Sequence, residues 1–127
     1  MDKMLFKKIN LLLHLANVDG KFDRSEENLL LDILKEKGLD GSYLKEHQQE
    51  TVDLKAFQEI PDKAELFYWV LKMIKADNYL HPDELAYSKT LALKLNIKPE
   101  VVDLYSNKEI PSLEEFELEI KQFRLSS

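Results

Sequence analysis

Two short acidic stretches decide the fold: residues 19–26 read DGKFDRSE, and residues 77–84 read DNYLHPDE. Both follow the pattern D-[GN]-x-Φ-x-x-x-E, in which Φ is an apolar residue. Each stretch joins two segments whose apolar residues recur at helical spacing. A doubled pattern that keeps two acids at a fixed spacing predicts an internal duplication. It also marks the place where the sequence predicts a functional site.

The duplication extends beyond the two acidic turns. With a shift of 58 residues, from 19 to 77, Leu34 aligns with Ala92, and the pair GL at 38–39 aligns with NI at 96–97. The tetrapeptide EIPD at 59–62 recurs as EIPS at 109–112. Neither helix–turn–helix unit can bury its apolar stripe alone, so two units should face each other about a pseudo-twofold axis. The predicted units are residues 3–61 and 62–111, closed by a C-terminal helix over 112–125.

The predicted fold class is all-α, a single-domain bundle of about seven helices in a chain of 127 residues. No segment alternates with period two over a useful length. The first predicted helix spans about 3–18, and the next one ends at Gly38. Another starts at Asp62 with a capping box to Glu65 and is followed by a helix over 82–95. A short helix follows Pro99, and the last helix is capped by Ser112 with Glu115. Two short helices near 43–48 and 53–58 are predicted in the linker.

Composition restricts the class of partner. The chain has 18 basic and 24 acidic side chains, a net charge of −6, which repels phosphate backbones and argues against nucleic acid. It has no cysteine, which excludes disulfides and thiolate chemistry and agrees with a reducing compartment. No apolar run approaches the ~20 residues that cross a bilayer. We therefore expect a cytoplasmic protein without direct membrane insertion.

The turn acids have a structural interpretation. Asp23 can cap the second helix, with Glu26 completing a capping box. Asp83 and Glu84 lie near the start of the next long helix, where the helix dipole favours negative charge. Capping acids are common in helical proteins, so structure alone can explain these residues.

The turn acids also have an interpretation as metal ligands, because each turn matches the second half of the calcium loop D-x-[DN]-x-[DN]-G-x₅-E. The first half is missing, since its ligand positions fall on Leu15 and Asn17 in one copy and on Met73 and Lys75 in the other. A calcium cage takes six to eight oxygens. The remaining hypothesis is a shared divalent cation, calcium or magnesium, with water completing the shell. Its candidate ligands are Asp19, Asp23, Glu26, Asp77, Asp83 and Glu84.

Catalysis has little support in the sequence. His14, His47 and His81 are scattered, and none forms the i, i+4 pair of a helical metal site. The chain contains no G-x-S-x-G, no phosphate-binding glycine loop and no H-E-x-x-H. We expect no catalytic residues and no enzyme activity.

The segments LLLHLANVDGKFDRSEENLLLDIL (11–34) and VLKMIKADNYLHPDELAYSKTLALKL (70–95) resemble the tellurite-resistance TerB family, whose domain also occurs in DnaJ-type membrane co-chaperones. The resemblance covers roughly residues 3–125. It implies an all-helical fold with an internal repeat, metal binding through the turn acids, and a stress-related role in protein complexes near the membrane. Asn78 replaces the glycine of the second turn and His81 makes it less acidic, so the second turn is the weaker metal site.

These observations predict a non-catalytic binding or adaptor module. A cation bound by the turns would set the angle of the flanking helices and present a surface to other proteins, including membrane-associated complexes. One alternative is a purely structural protein-interaction domain whose turn acids are helix caps. The other is a co-chaperone-like partner of a DnaJ/DnaK system.

Overall fold

The computed structural model describes residues 3–17, 24–39, 55, 57–76 and 82–123. These residues form six α-helices and no strand: α1 Lys3–Ala16, α2 Arg24–Glu36, α3 Ile60–Ile74, α4 Pro82–Lys94, α5 Glu100–Ser106 and α6 Leu113–Ile120, followed by a 3₁₀ turn at Lys121–Phe123. The all-α class is confirmed, and the count of about seven helices is not. The short helix predicted near 43–48 lies outside the described residues. Of the helix predicted near 53–58, Lys55 has 3₁₀ conformation, whereas Phe57 and Gln58 are not helical.

The central helix is α3, which packs against α1, α4, α5 and α6. Its apolar residues occupy more than half of its circumference, and a helix with so wide an apolar face is buried on most sides. Trp69 on α3 is 7% exposed. Tyr68 is half-buried, with its ring centre 5.6 Å from that of Phe116 on α6. No helix among the described residues is long and apolar enough to cross a membrane.

The starts of α3 and α6 differ although an E-I-P sequence lies at both: α3 begins within it, and α6 begins after it. The predicted start of α3 at Asp62 is wrong, because α3 begins at Ile60 with Pro61 in its first turn. Proline has no backbone N–H, and it fits in the first turn because the first amides of a helix have no hydrogen-bond acceptor within the helix. For α6 the prediction is confirmed: the backbone amide of Glu115 donates to the Ser112 hydroxyl at 3.3 Å.

The helices α2 and α4 match in length and in the geometry of their ends. Each has 13 residues, and their first residues are 58 positions apart. Gly38 and Asn96, also 58 apart, follow these helices with φ of 79° and 61°, the left-handed conformation of a helix C-cap. In both cases the next amide donates to the carbonyl five residues earlier at 2.8 Å. These correspondences favour the predicted duplication. The pseudo-twofold arrangement stays a prediction, because both joining turns lie outside the described residues.

Candidate functional site

The candidate site is the start of α2 and of α4, where the two acidic turns end. Glu26 is the third residue of α2, and Glu84 is the third residue of α4. Their side chains are 2% and 1% exposed. A glutamate is almost never buried to this extent unless its charge is compensated. The same position of both helices therefore encloses a carboxylate in a region where the helix dipole favours negative charge.

The other predicted ligands are placed differently. Asp83 is exposed beside Glu84, so it faces solvent. Asp19, Asp23 and Asp77 lie outside the described residues. In the part of the chain that the structure describes, no group of three or more histidine, aspartate or glutamate side chains can hold a metal ion. A cation at these helix starts therefore needs further ligands from residues 18–23 or 77–81.

The helix starts also bear on the capping interpretation. Because α2 begins at Arg24, Glu26 occupies the third helical position, where the glutamate of a capping box lies. Because α4 begins at Pro82, the corresponding cap position falls on His81, a residue type without a strong preference for capping. Capping chemistry thus fits the first turn better than the second.

A buried lysine, to which the sequence pattern assigns no role, joins α1 to α3. Lys8 is 6% exposed, and its ammonium donates to Asp62 Oδ1 and to Glu65 Oε1, each at 3.0 Å. The second oxygen of Glu65 lies 3.5 Å from the ammonium of Lys37. Lys8 lies within the apolar stripe of α1, three residues after Leu5. That position was the available sign that it would be buried.

A second polar cluster joins α5, α6 and the end of α3. The buried hydroxyl of Tyr105 donates to the carboxylate of Glu119 on α6. Burial raises the pKa of Tyr105 well above its ordinary value, and the Glu119 carboxylate raises it further. The Lys75 ammonium donates to the backbone carbonyls of Tyr105 at 2.9 Å and of Lys108 at 2.6 Å. These contacts fix the C-terminal part of the bundle against α3 and give no open reactive centre.

Comparison with known proteins leaves the family open. No family model, no curated protein and no solved structure matches the chain. The resemblance to the TerB family therefore stays a prediction from the two acidic turns. Of the six predicted ligands in those turns, the described residues include Glu26, Asp83 and Glu84.

Proposed function

We propose that this protein is a non-catalytic, TerB-type binding module that holds a divalent cation at the start of α2. The observation that carries the proposal is the burial of Glu26 and Glu84 at the same position of two equally long helices. A carboxylate held in the interior at a helix start is already desolvated and oriented. Calcium and magnesium take oxygen ligands of this kind.

The described and predicted ligands have different roles in this proposal. Glu26 supplies an inward-facing oxygen, and Asp19 and Asp23 supply others from the preceding turn. Glu84 in the first turn of α4 and Asp77 from the preceding turn form the equivalent and weaker pair. Asp83, which is exposed, would supply an oxygen from the solvent side, and water completes the shell. The cation would hold α2 at a set angle to α1, and the TerB resemblance implies a stress-related role with other proteins as partners.

Titration with calcium, magnesium, manganese and zinc tests the proposal, with Trp69 fluorescence and melting temperature as readouts. A cation at a hundred times its dissociation constant stabilises the folded state by about 2.7 kcal/mol. Glu26→Gln should remove most of that gain. Glu27→Gln is the matched control, because it deletes the same charge at an exposed neighbouring position. The proposal is wrong if no cation stabilises the wild type, or if Glu26→Gln responds as the wild type does.

The alternative is a structural protein-interaction domain whose turn acids are helix caps, and the third position of Glu26 in α2 favours it. Glutamine also serves at that position of a capping box. Under this alternative Glu26→Gln loses only a fraction of a kcal/mol, and no cation changes the melting temperature of the wild type. The two candidate functions therefore predict opposite cation responses.

A further inference from the structure

A groove separates α2 from α3. One wall is a single face of α2 on which residues recur every three or four positions: Ser25, Asn28, Leu29, Asp32, Ile33 and Glu36. Two adjoining cavities of about 620 and 360 Å³ form the groove, and both are lined by Leu29, Asp32 and Lys72. Residues 25–36 of α2 span roughly 17 Å at 1.5 Å per residue. The groove is therefore about as long as three turns of helix.

The groove exists because α2 packs differently from α4. The helix α4 packs against both α1 and α3, whereas α2 has its closest packing with α1. At one end α2 is joined to α3 through the ion pair between Lys37 and Glu65. Towards the other end the α3 wall runs to Lys75 and Ala76, and Ile110 closes the groove. A face of α3 beside α2 is thus left without a covering helix among the described elements.

Apolar and aromatic side chains line the centre of the groove. Trp69 and Tyr68 contribute from α3, Leu29 from α2 and Leu113 from the start of α6. Apart from buried Trp69, each of these is partly exposed. Aromatic side chains that are apolar in body and polar at one edge are frequent anchors of protein interfaces. The centre of the groove can therefore accept apolar side chains.

The charge left available along the rim is negative. Asp32 and Glu36 lie four residues apart on α2, and Glu109 lies at the far end. All three are exposed, and none of their side-chain carboxylates makes an ion pair or hydrogen bond with the part of the chain that the structure describes.

The two lysines that line the groove, Lys72 and Lys75, are outnumbered by its four acidic side chains, Asp32, Glu36, Glu65 and Glu109. Lys72 lies 4.6 Å from the ring centre of Tyr68, and Lys75 donates to two backbone carbonyls. A ligand with apolar residues and positive charges complements this arrangement.

We propose that the groove docks a basic amphipathic helix of about three turns from a partner protein. Its apolar residues, at i, i+3, i+4 and i+7, would face Leu29 and Trp69. Its lysine or arginine side chains would pair with Asp32 and Glu36. This inference rests on the proposed adaptor function and deepens it, because it names the docking surface and the chemistry of the partner.

The test uses a synthetic, side-chain-stapled helix of about 12 residues with a leucine stripe flanked by lysines. A second peptide carries glutamate in place of each lysine, and a third has the residues of the first in scrambled order. Binding is followed by Trp69 fluorescence and by calorimetry at low salt, in one series with a chelator and in a second series with saturating calcium. Only the basic amphipathic helix should bind the wild type.

Variants of the groove decide whether the peptide binds there. Asp32→Asn with Glu36→Gln should weaken binding about three- to tenfold at low salt, and less at high salt. The matched control is Glu27→Gln with Glu100→Gln, which removes the same charge away from the groove and should change affinity by less than about twofold. Glu27 lies on the face of α2 opposite the groove.

An apolar pair of variants completes the test. Leu29→Glu should abolish binding, because it places a charge in the centre of the groove. Leu118→Glu changes a residue that is 64% exposed on α6 and should leave the affinity unchanged.

Four results would overturn the proposal. They are equal binding of the acidic or the scrambled peptide, no binding of the basic one, equal weakening by the control charge variant, and self-association of the wild type that Leu29→Glu abolishes. The last result would make a second copy of the chain the occupant. Because each peptide is tested with and without calcium, a chain that is stabilised by calcium but binds no peptide in either series refutes docking alone. A chain that binds the peptide but responds to no cation refutes the cation site alone.

Discussion

Replacing Lys8 with methionine should destabilise the fold by about 1–3 kcal/mol. Removing one partner of a fully buried ion pair costs about 3–5 kcal/mol, because the remaining charge stays in the interior. The Lys8 side chain is 7% exposed, but those of its partners Asp62 and Glu65 are 32% and 21% exposed. Water can therefore take up part of the lost interaction, which lowers the penalty. Methionine keeps most of the aliphatic packing of the lysine stem, so the loss reports on the charge.

Urea unfolding of the wild type and the variant at one pH measures this difference. The control is Lys35→Met on α2, an exposed lysine, which should change the free energy of unfolding by no more than about 0.5 kcal/mol. A double variant, Lys8→Met with Asp62→Asn, should lose less than the sum of the two single losses, because the two groups interact directly.

A Lys8→Met variant that is as stable as the wild type, or more stable, would contradict this expectation. That result would mean that the desolvation of the ammonium costs at least as much free energy as its two carboxylate contacts contribute to stability. The ion pairs would then contribute to the specificity of the contact between α1 and α3 but not to its stability.

Three further predictions concern other parts of the bundle. The raised pKa of Tyr105 means that the folded chain keeps a proton that the unfolded chain loses above its ordinary pKa of 10.0. The contribution of this pKa shift to the free energy of unfolding is therefore complete below about pH 10 and is lost as the pH rises further. Tyr105→Phe should lessen the fall in melting temperature above pH 10. Gly38→Ala should cost about 1–2 kcal/mol in urea unfolding. The φ of Gly38 is 79° and no atom lies within 4 Å of the added Cβ, so the cost is backbone strain. If cation and peptide sites are coupled, calcium and the basic helix should change each other's affinity by the same factor in calorimetry.

The local parts of the fold could be predicted from the sequence. Gly38 was predicted to end α2 and Ser112 to cap α6, and both depend on residues within one turn. The start of α3 could not be predicted in the same way. Asp62 and Glu65 have capping-box spacing, but their side chains bind Lys8, which is 54 residues before Asp62. No local pattern contains that contact.

For the candidate site, the doubled pattern predicted which residues matter but not their environment. Glu26 and Glu84 were expected at helix starts, yet their burial depends on what packs over those helix starts. The apolar residues of α2 recur at helical spacing and include Leu29, Leu30 and Leu34. The structure buries Leu30 and Leu34 but leaves Leu29 partly exposed at the groove. The apolar stripe of α2 is wider than the part of it that the core covers, and this excess width is the sequence feature that indicates an exposed apolar surface. Whether that surface forms a groove depends on the distance between α2 and α3.

The two proposals meet in α2. Glu26 is in its first turn, and the neighbouring Ser25 already lines the groove. The opposite end is held to α3 by the ion pair between Lys37 and Glu65. Because the closest packing of α2 is with α1, a shift of its first turn would change the width of the groove while the packing of α3 stays intact. A cation that binds Glu26 and the preceding turn acts on that end of α2. Coupling between two sites requires an element whose position both ligands bias, and α2 is the helix that carries both the ligand and the groove wall.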